Sequence, residues 1–150
     1  MPIYKKILLD TNFLMIPGNF GVDIFEEINR ICNFNYKLYL LDKSINELKK
    51  LPDKAKKQRT KTKIAVNIAL KLVESLVKDG KLNIIPTKTD IKLTKFRGMY
   101  VDDIIKDITA KDKDNEYIIA TTDIELRKHL KRVVILRQKK YLELIQNTNQ

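Results

Sequence analysis

Four acidic residues recur at the ends of predicted strands or on the helices that follow them. They are Asp10 in Leu8-Leu9-Asp10-Thr11-Asn12, Glu47 in Ser44-Ile45-Asn46-Glu47-Leu48, Asp102 in Val101-Asp102-Asp103-Ile104-Ile105, and Asp123 in Thr121-Thr122-Asp123. Carboxylates gathered in one place repel each other unless a cation sits between them. Hard oxygen donors select Mg or Mn rather than zinc. Such an ion acidifies water and stabilises charge on the attacking and leaving oxygens of a phosphodiester. The rest of the chain has the opposite sign: 30 Lys and Arg against 19 Asp and Glu, a net charge of +11. A field of that sign draws polyanions, nucleic acid foremost, although a general lysine-rich bias would also produce it. The expected chemistry is metal-dependent cleavage of nucleic acid.

Each acid also has a local explanation. Asp10 can close an Asx-type turn on nearby backbone N–H groups. Glu47 follows Ser44 by three residues, the spacing of a capping box, and Thr122 with Glu125 offers another. In that second box Asp123 would lie in the first helical turn, where the helix dipole favours negative charge, as it would for Asp102 and Asp103. These accounts treat the acids one at a time. They leave unexplained why four elements present one at the same sheet edge, and the joint pattern decides for the metal site.

The elements that must bring the acids together alternate along the chain. Ile3–Leu9 reads as a strand buried on both faces, followed by a loop punctuated by Gly18 and Gly21 and a helix over Val22–Cys32. Then come a strand at Tyr36–Leu41, a short helix at Ser44–Leu51, a long helix at Asp53–Lys78 and a strand at Leu82–Ile85. A loop over Pro86–Tyr100 leads to a helix at Val101–Lys111, a turn at Asp112–Asn115 and a strand at Tyr117–Thr121. A helix at Ile124–Leu130, a strand at Arg132–Leu136 and a final short helix from Lys139 to Ile145 complete the expected order. Strand–helix alternation predicts a three-layer α/β/α domain around a mostly parallel five-stranded sheet, with all 150 residues in one domain. In such a sheet the strand ends share one crevice, where residues distant in sequence converge.

Several classes are excluded. Cys32 is the only cysteine and His129 the only histidine, so neither a disulfide within the chain nor a Cys- or His-paired zinc site can form. No apolar run approaches the ~18 residues of a membrane span, and Met1-Pro2-Ile3-Tyr4-Lys5-Lys6 lacks the apolar stretch of a signal peptide. The expected location is cytoplasmic. Neither G-x-x-x-x-G-K nor G-x-G-x-x-G occurs. A phosphoacceptor receiver domain would need a second acid beside Asp10 and an Asp after the third strand, and Leu82–Pro86 has none.

With these motifs in order, the chain resembles the PIN-domain nucleases along nearly its whole length. The strand ending Asp10-Thr11-Asn12, Glu47 in the next helical region, Asp102 with Ile105 three residues on, and Thr121-Thr122-Asp123 before Leu126-Arg127 all match the family's pattern. The tail Val133–Leu142 looks like archaeal members of the VapC and ribosomal-RNA-processing type. Two positions depart: Thr109 stands where a small residue is usual, and the Asp102-Asp103 doublet leaves the ligand open by one residue. The resemblance implies Mg- or Mn-dependent hydrolysis of RNA, with Asp10, Asp102 and Asp123 as ligands and Glu47 holding a second ion or orienting water. Thr11, Asn12, Asp103 and Thr121 would support those groups from behind. It also implies a homodimer, and either an antitoxin partner or a ribosomal precursor as substrate; a related RNA-binding module without catalysis is the alternative.

The substrate needs a grip of its own. Lys54, Lys56, Lys57, Arg59, Lys61 and Lys63 occur within ten residues without an acid. At the start of a helix they oppose its dipole, which suits a phosphate-tracking arm as well as a solvated face. Lys95 and Arg97 alternate with Phe96 and Tyr100 before the third acid, a mix suited to single strands, although the aromatic rings could equally anchor the loop.

Overall fold

Ile7, Leu8 and Leu9 are fully buried, and successive side chains enter two different cores. That is the mark of a strand covered on both faces. The computed structural model describes residues 3–146 and places this strand, β1 (Lys5–Leu9), near the centre of a six-stranded sheet. The others are β2 (Tyr36–Leu41), β3 (Leu82–Ile85), β4 (Tyr117–Ala120), β5 (Arg132–Arg137) and β6 (Tyr141–Gln146), in the order β3-β2-β1-β4-β5-β6. All neighbouring pairs are parallel except β5 with β6.

One face is covered by α1 (Ile16–Phe20), α2 (Ile24–Ile31), α3 (Asp42–Lys54) and α4 (Arg59–Lys78), through Ile24, Ile28, Leu48, Ala69 and Val73. The other face carries α5 (Val101–Ala110) and α6 (Ile124–Arg127), through Ile104, Ile105 and Leu126. This is the three-layer α/β/α arrangement, and all five expected strands are present. Among the described residues no helix is long and apolar enough to cross a membrane.

The sixth strand is a correction. Lys139–Ile145 was expected to be helical, but β6 pairs Leu136 with Leu142 and Val134 with Leu144. Its tight turn holds Gln138 and Lys139 at φ of 52° and 56°. Left-handed turn residues match the twist of a hairpin, but neither is the Asn or Gly that would have announced it. A second correction concerns Asp53–Lys78, which is two helices. The helix begun at Asp42 runs through Pro52 and stops at Lys54, and α4 starts at Arg59. Proline removes a backbone donor and crowds the preceding turn, so the break falls soon after it. Residues 11–20, expected as loop, form a 3-10 turn and α1, and two short 3-10 turns meeting at a kink at Leu93 lie over Ile91–Phe96 within the long loop.

Helix α1 packs tightly on α4. A Cβ added at Gly18 would sit 2.5 Å from Ala65 Cα, so α1 meets α4 almost backbone to backbone. Gly21, at φ 66°, then ends α1 with a left-handed cap.

Candidate active site

The chain runs from β1 outward to β2 and β3, then returns to β4 on the other side of β1. The crevice between the carboxyl ends of β1 and β4 is therefore the topological switch point, where open α/β sheets bind ligands. Asp10 leaves β1 there and Thr121 leaves β4, held side by side by a 2.9 Å bond from Asp10 N to Ala120 O.

Asp10 is only 3% exposed. Its Oδ1 accepts from Thr11 N at 2.9 Å, realising the expected turn, and its Oδ2 accepts from the Thr121 hydroxyl at 2.7 Å. Burial is the main cause of a carboxyl pKa pushed up from 3.8 to about 6. The hydrogen bond from Thr121 opposes that rise, and the charges of Asp102 and Asp123 add to it.

Thr11 also donates its hydroxyl to Glu47 Oε2 at 2.9 Å, tying α3 to the end of β1. This replaces the expected capping box. The helix begins two residues before Ser44, whose buried Oγ has no partner among the described residues, so Glu47 is free to face the crevice. Asp123 is likewise a cap and not a first-turn residue: its Oδ1 accepts from Glu125 N at 2.9 Å and Leu126 N at 3.1 Å. The Thr121 hydroxyl accepts from Asp123 N, so one side chain touches two of the acids' residues.

Asp102 comes from the opposite layer, in the first turn of α5. Partial burial and then the charges of Asp123 and Glu47 raise its pKa, with Asp103 a smaller contributor. Asp102 and Asp103 both remain exposed, and neither carboxylate has a hydrogen-bond partner among the described residues. The start of α3 positions α5 from a distance. Lys43 Nζ donates to the carbonyls of Phe96 and Met99, and Asp42 accepts from the Thr87 hydroxyl and from Lys88 N. These bonds pin the strap leading to Tyr100, the residue before α5; sequence reasoning missed both side chains because their partners lie over 40 residues away. Thr109, the unusual helix residue, donates back to the carbonyls of Ile105 and Lys106.

All four acids therefore act on one another electrostatically through Asp10 and Asp102. They do not form a closed cage: among the described residues no three acidic, His or Cys side chains converge tightly enough to hold an ion alone. The donor set still fits a hard divalent ion. Every candidate donor is oxygen, the buried Asp10 carboxylate accepts only from neutral donors, Thr11 N and the Thr121 hydroxyl, and Mg keeps several of its waters when bound through one or two carboxylates.

The basic residues fall in two groups. Lys54 closes α3, Lys56 and Lys57 lie in the break, and Arg59, Lys61 and Lys63 open α4, all exposed. Arg59 pairs with Asp53 at 3.1 Å. In the strap, Lys95 pairs with Asp107 at 3.4 Å and lies over the buried Phe96 ring, while Arg97 donates to Lys88 O. Phe96 is thus a core anchor, and Tyr100 is the exposed ring.

A family model described as a PIN like domain matches residues 7–139. Ribonuclease VapC4 of Methanocaldococcus jannaschii is 32% identical over 143 residues, covering 93% of this chain and 95% of that protein. Among solved structures, the PIN domain endonuclease Utp24 aligns with a TM-score of 0.64 at 20% identity, covering 95% of this chain and 92% of that one. This last likeness is one of fold.

Proposed function

The chain belongs to the PIN-like domain family, and from that premise we propose that it is a metal-dependent endoribonuclease, the whole chain serving as one nuclease domain. The observation that carries the reading is the electrostatic coupling that links Asp10, Asp102, Asp123 and Glu47 beside the β1–β4 switch point, with Asp10 buried. The curated relative is a ribonuclease and matches over 93% of this chain.

In this reading Asp10, Asp102 and Asp123 hold Mg or Mn, and Glu47 holds a second ion or orients water. When bound, the ion supplies Lewis acidity and neutralises charge at the phosphate. The protein's own part is positional. Thr121 fixes Asp10 Oδ2, Thr11 fixes both Asp10 Oδ1 and Glu47, and the α6 backbone fixes Asp123 Oδ1. Asp102 and Asp103 keep free oxygens on the solvent side, and Asn12 lies next to Thr11 facing solvent. Supporting groups of this kind typically change metal affinity or activity by about 10–100-fold when removed.

In this reading Lys54, Lys56, Lys57, Arg59, Lys61 and Lys63 form the phosphate-tracking arm, and Lys95 and Arg97, in the loop before α5, add a second basic contact. A toxin whose antitoxin partner silences it is the favoured role, because the curated relative is named a VapC ribonuclease; ribosomal RNA maturation is the alternative. Ile64 and Ile68 stand exposed on α4, apolar surface that a homodimer or an antitoxin would cover. Cleavage of labelled single-stranded RNA with Mg or Mn tests the activity. Wild-type protein should cut and Asp10→Asn should lose at least a hundredfold in rate; equal rates would reject this site.

A further inference from the structure

Beside the acids the fold leaves a cavity of about 470 Å³, with Asn12, Asn19, Phe20, Lys54 and Thr122 in its wall. Met15, Ile16 and Leu51 give it an apolar floor. Two wall residues join it directly to the acid cluster. Asn12 follows Thr11, which bonds Glu47, and Thr122 lies between Thr121 and Asp123. The cavity wall thus includes chain neighbours of two residues that bond the acids, so a nucleotide next to a phosphate at the acids would lie near it. A larger cavity, about 630 Å³, is at the opposite end of the strands beside Tyr36 and Lys81 and has no such connection.

The polar groups of this wall are not used by the fold. Among the described residues, the amides of Asn12 and Asn19 and the ammonium of Lys54 make no hydrogen bond or ion pair. Phe20 remains 40% exposed, although an apolar floor lies directly beneath it. Lys139 Nζ sits 5.8 Å from its ring centroid and steadies the ring from the hairpin side. An aromatic face, two amides that both donate and accept, and a cation near the entrance together match the needs of an unpaired base. The ring stacks, the amides read the base edge, and the cation meets a phosphate.

We propose that this cavity takes one unpaired base of single-stranded RNA, the nucleotide adjoining the phosphate at the acids, and so selects which nucleotide flanks the cut. This rests on the ribonuclease reading. A paired base has its edge occupied, which makes the cavity selective for single strands.

The test uses Asn19→Ala and Phe20→Ala, with Phe20→Leu as a milder second variant and circular dichroism to confirm folding. A randomised single-stranded RNA pool is cut with Mn, and cut sites are sequenced. Binding of a short fluorescent DNA-for-RNA-substituted oligonucleotide at the cut position is measured in parallel by anisotropy. The expected result is a flanking-nucleotide preference in wild type that flattens in the variants, with KM or Kd raised roughly tenfold. Wild-type cleavage with the same preference and affinity in every folded variant would overturn the cavity assignment and leave the nuclease reading intact. Binding weakened by the variants without any wild-type cleavage would support the base site and reject the nuclease reading. Neither cleavage nor binding would reject both.

Discussion

Asp10 is buried, faces two other acids, and has only Thr11 and Thr121 to offset that burden. Its pKa of about 6 in the fold lies above 3.8, so between those values the folded protein holds a proton that the unfolded chain has released. Stability of the metal-free protein should therefore fall as pH rises from about 4 to about 6, by on the order of 3 kcal/mol from this one group. Urea unfolding in EDTA at a series of pH values measures it. Asp10→Asn should remove that part of the slope, and an identical slope in both proteins would mean that Asp10 carries no such strain. This residue's importance was legible from its place after a buried strand. The bond from Thr11 to Glu47 was not, because a hydroxyl gives no sign of a partner 36 residues away. The local capping motif at Ser44 pointed to a different use of the same carboxylate.

Elements were legible where a repeating apolar pattern met a clear stop. The five parallel strands and the second half of α4 are of this kind, since Ala65, Ala69, Val73 and Leu76 are all buried at helical spacing. Elements without a stop signal were misread. Pro52 sits inside α3 close to its end, so a helix start was expected where a helix is ending. The β5–β6 turn uses Gln138 and Lys139, residues that give no hint of left-handed backbone. In sequence Gly18 reads as loop punctuation, but its lack of a side chain is what allows α1 to reach Ala65. Gly18→Ala should cost about 1–3 kcal/mol by overpacking that contact, read by denaturant unfolding. A change below a few tenths would show that the two helices separate freely. Because α1 also walls the cavity beside the acids, the same substitution should disturb that wall.

At the scale of the molecule, a chain of net charge +11 brings Asp10, Glu47, Asp102 and Asp123 within electrostatic reach of one another and leaves Lys54, Lys56, Lys57, Lys61 and Lys63 exposed on its surface. Opposite signs in these two places would let one region hold cations while the surrounding field draws in a polyanion. The strand order creates the crevice, and alternation alone foretold that such an edge would exist. It did not foretell that Asp102 would arrive from the layer opposite Glu47, because sequence gives no distance between layers. Replacing Lys56, Lys57 and Arg59 with glutamine should weaken RNA binding and flatten its dependence on salt. For single strands the log–log slope should drop by up to about 2 if all three meet phosphates. An unchanged slope would return those side chains to ordinary solvated surface.

Calorimetric titration of Mn into the protein at pH 7 asks most directly whether the distant carboxylates share an ion. Wild type should bind, releasing more protons as the pH is lowered toward 6, while Asp10→Asn and Asp123→Asn should each bind at least tenfold more weakly. Equal affinity in all three proteins, or no uptake by wild type, would contradict a common divalent-ion cradle.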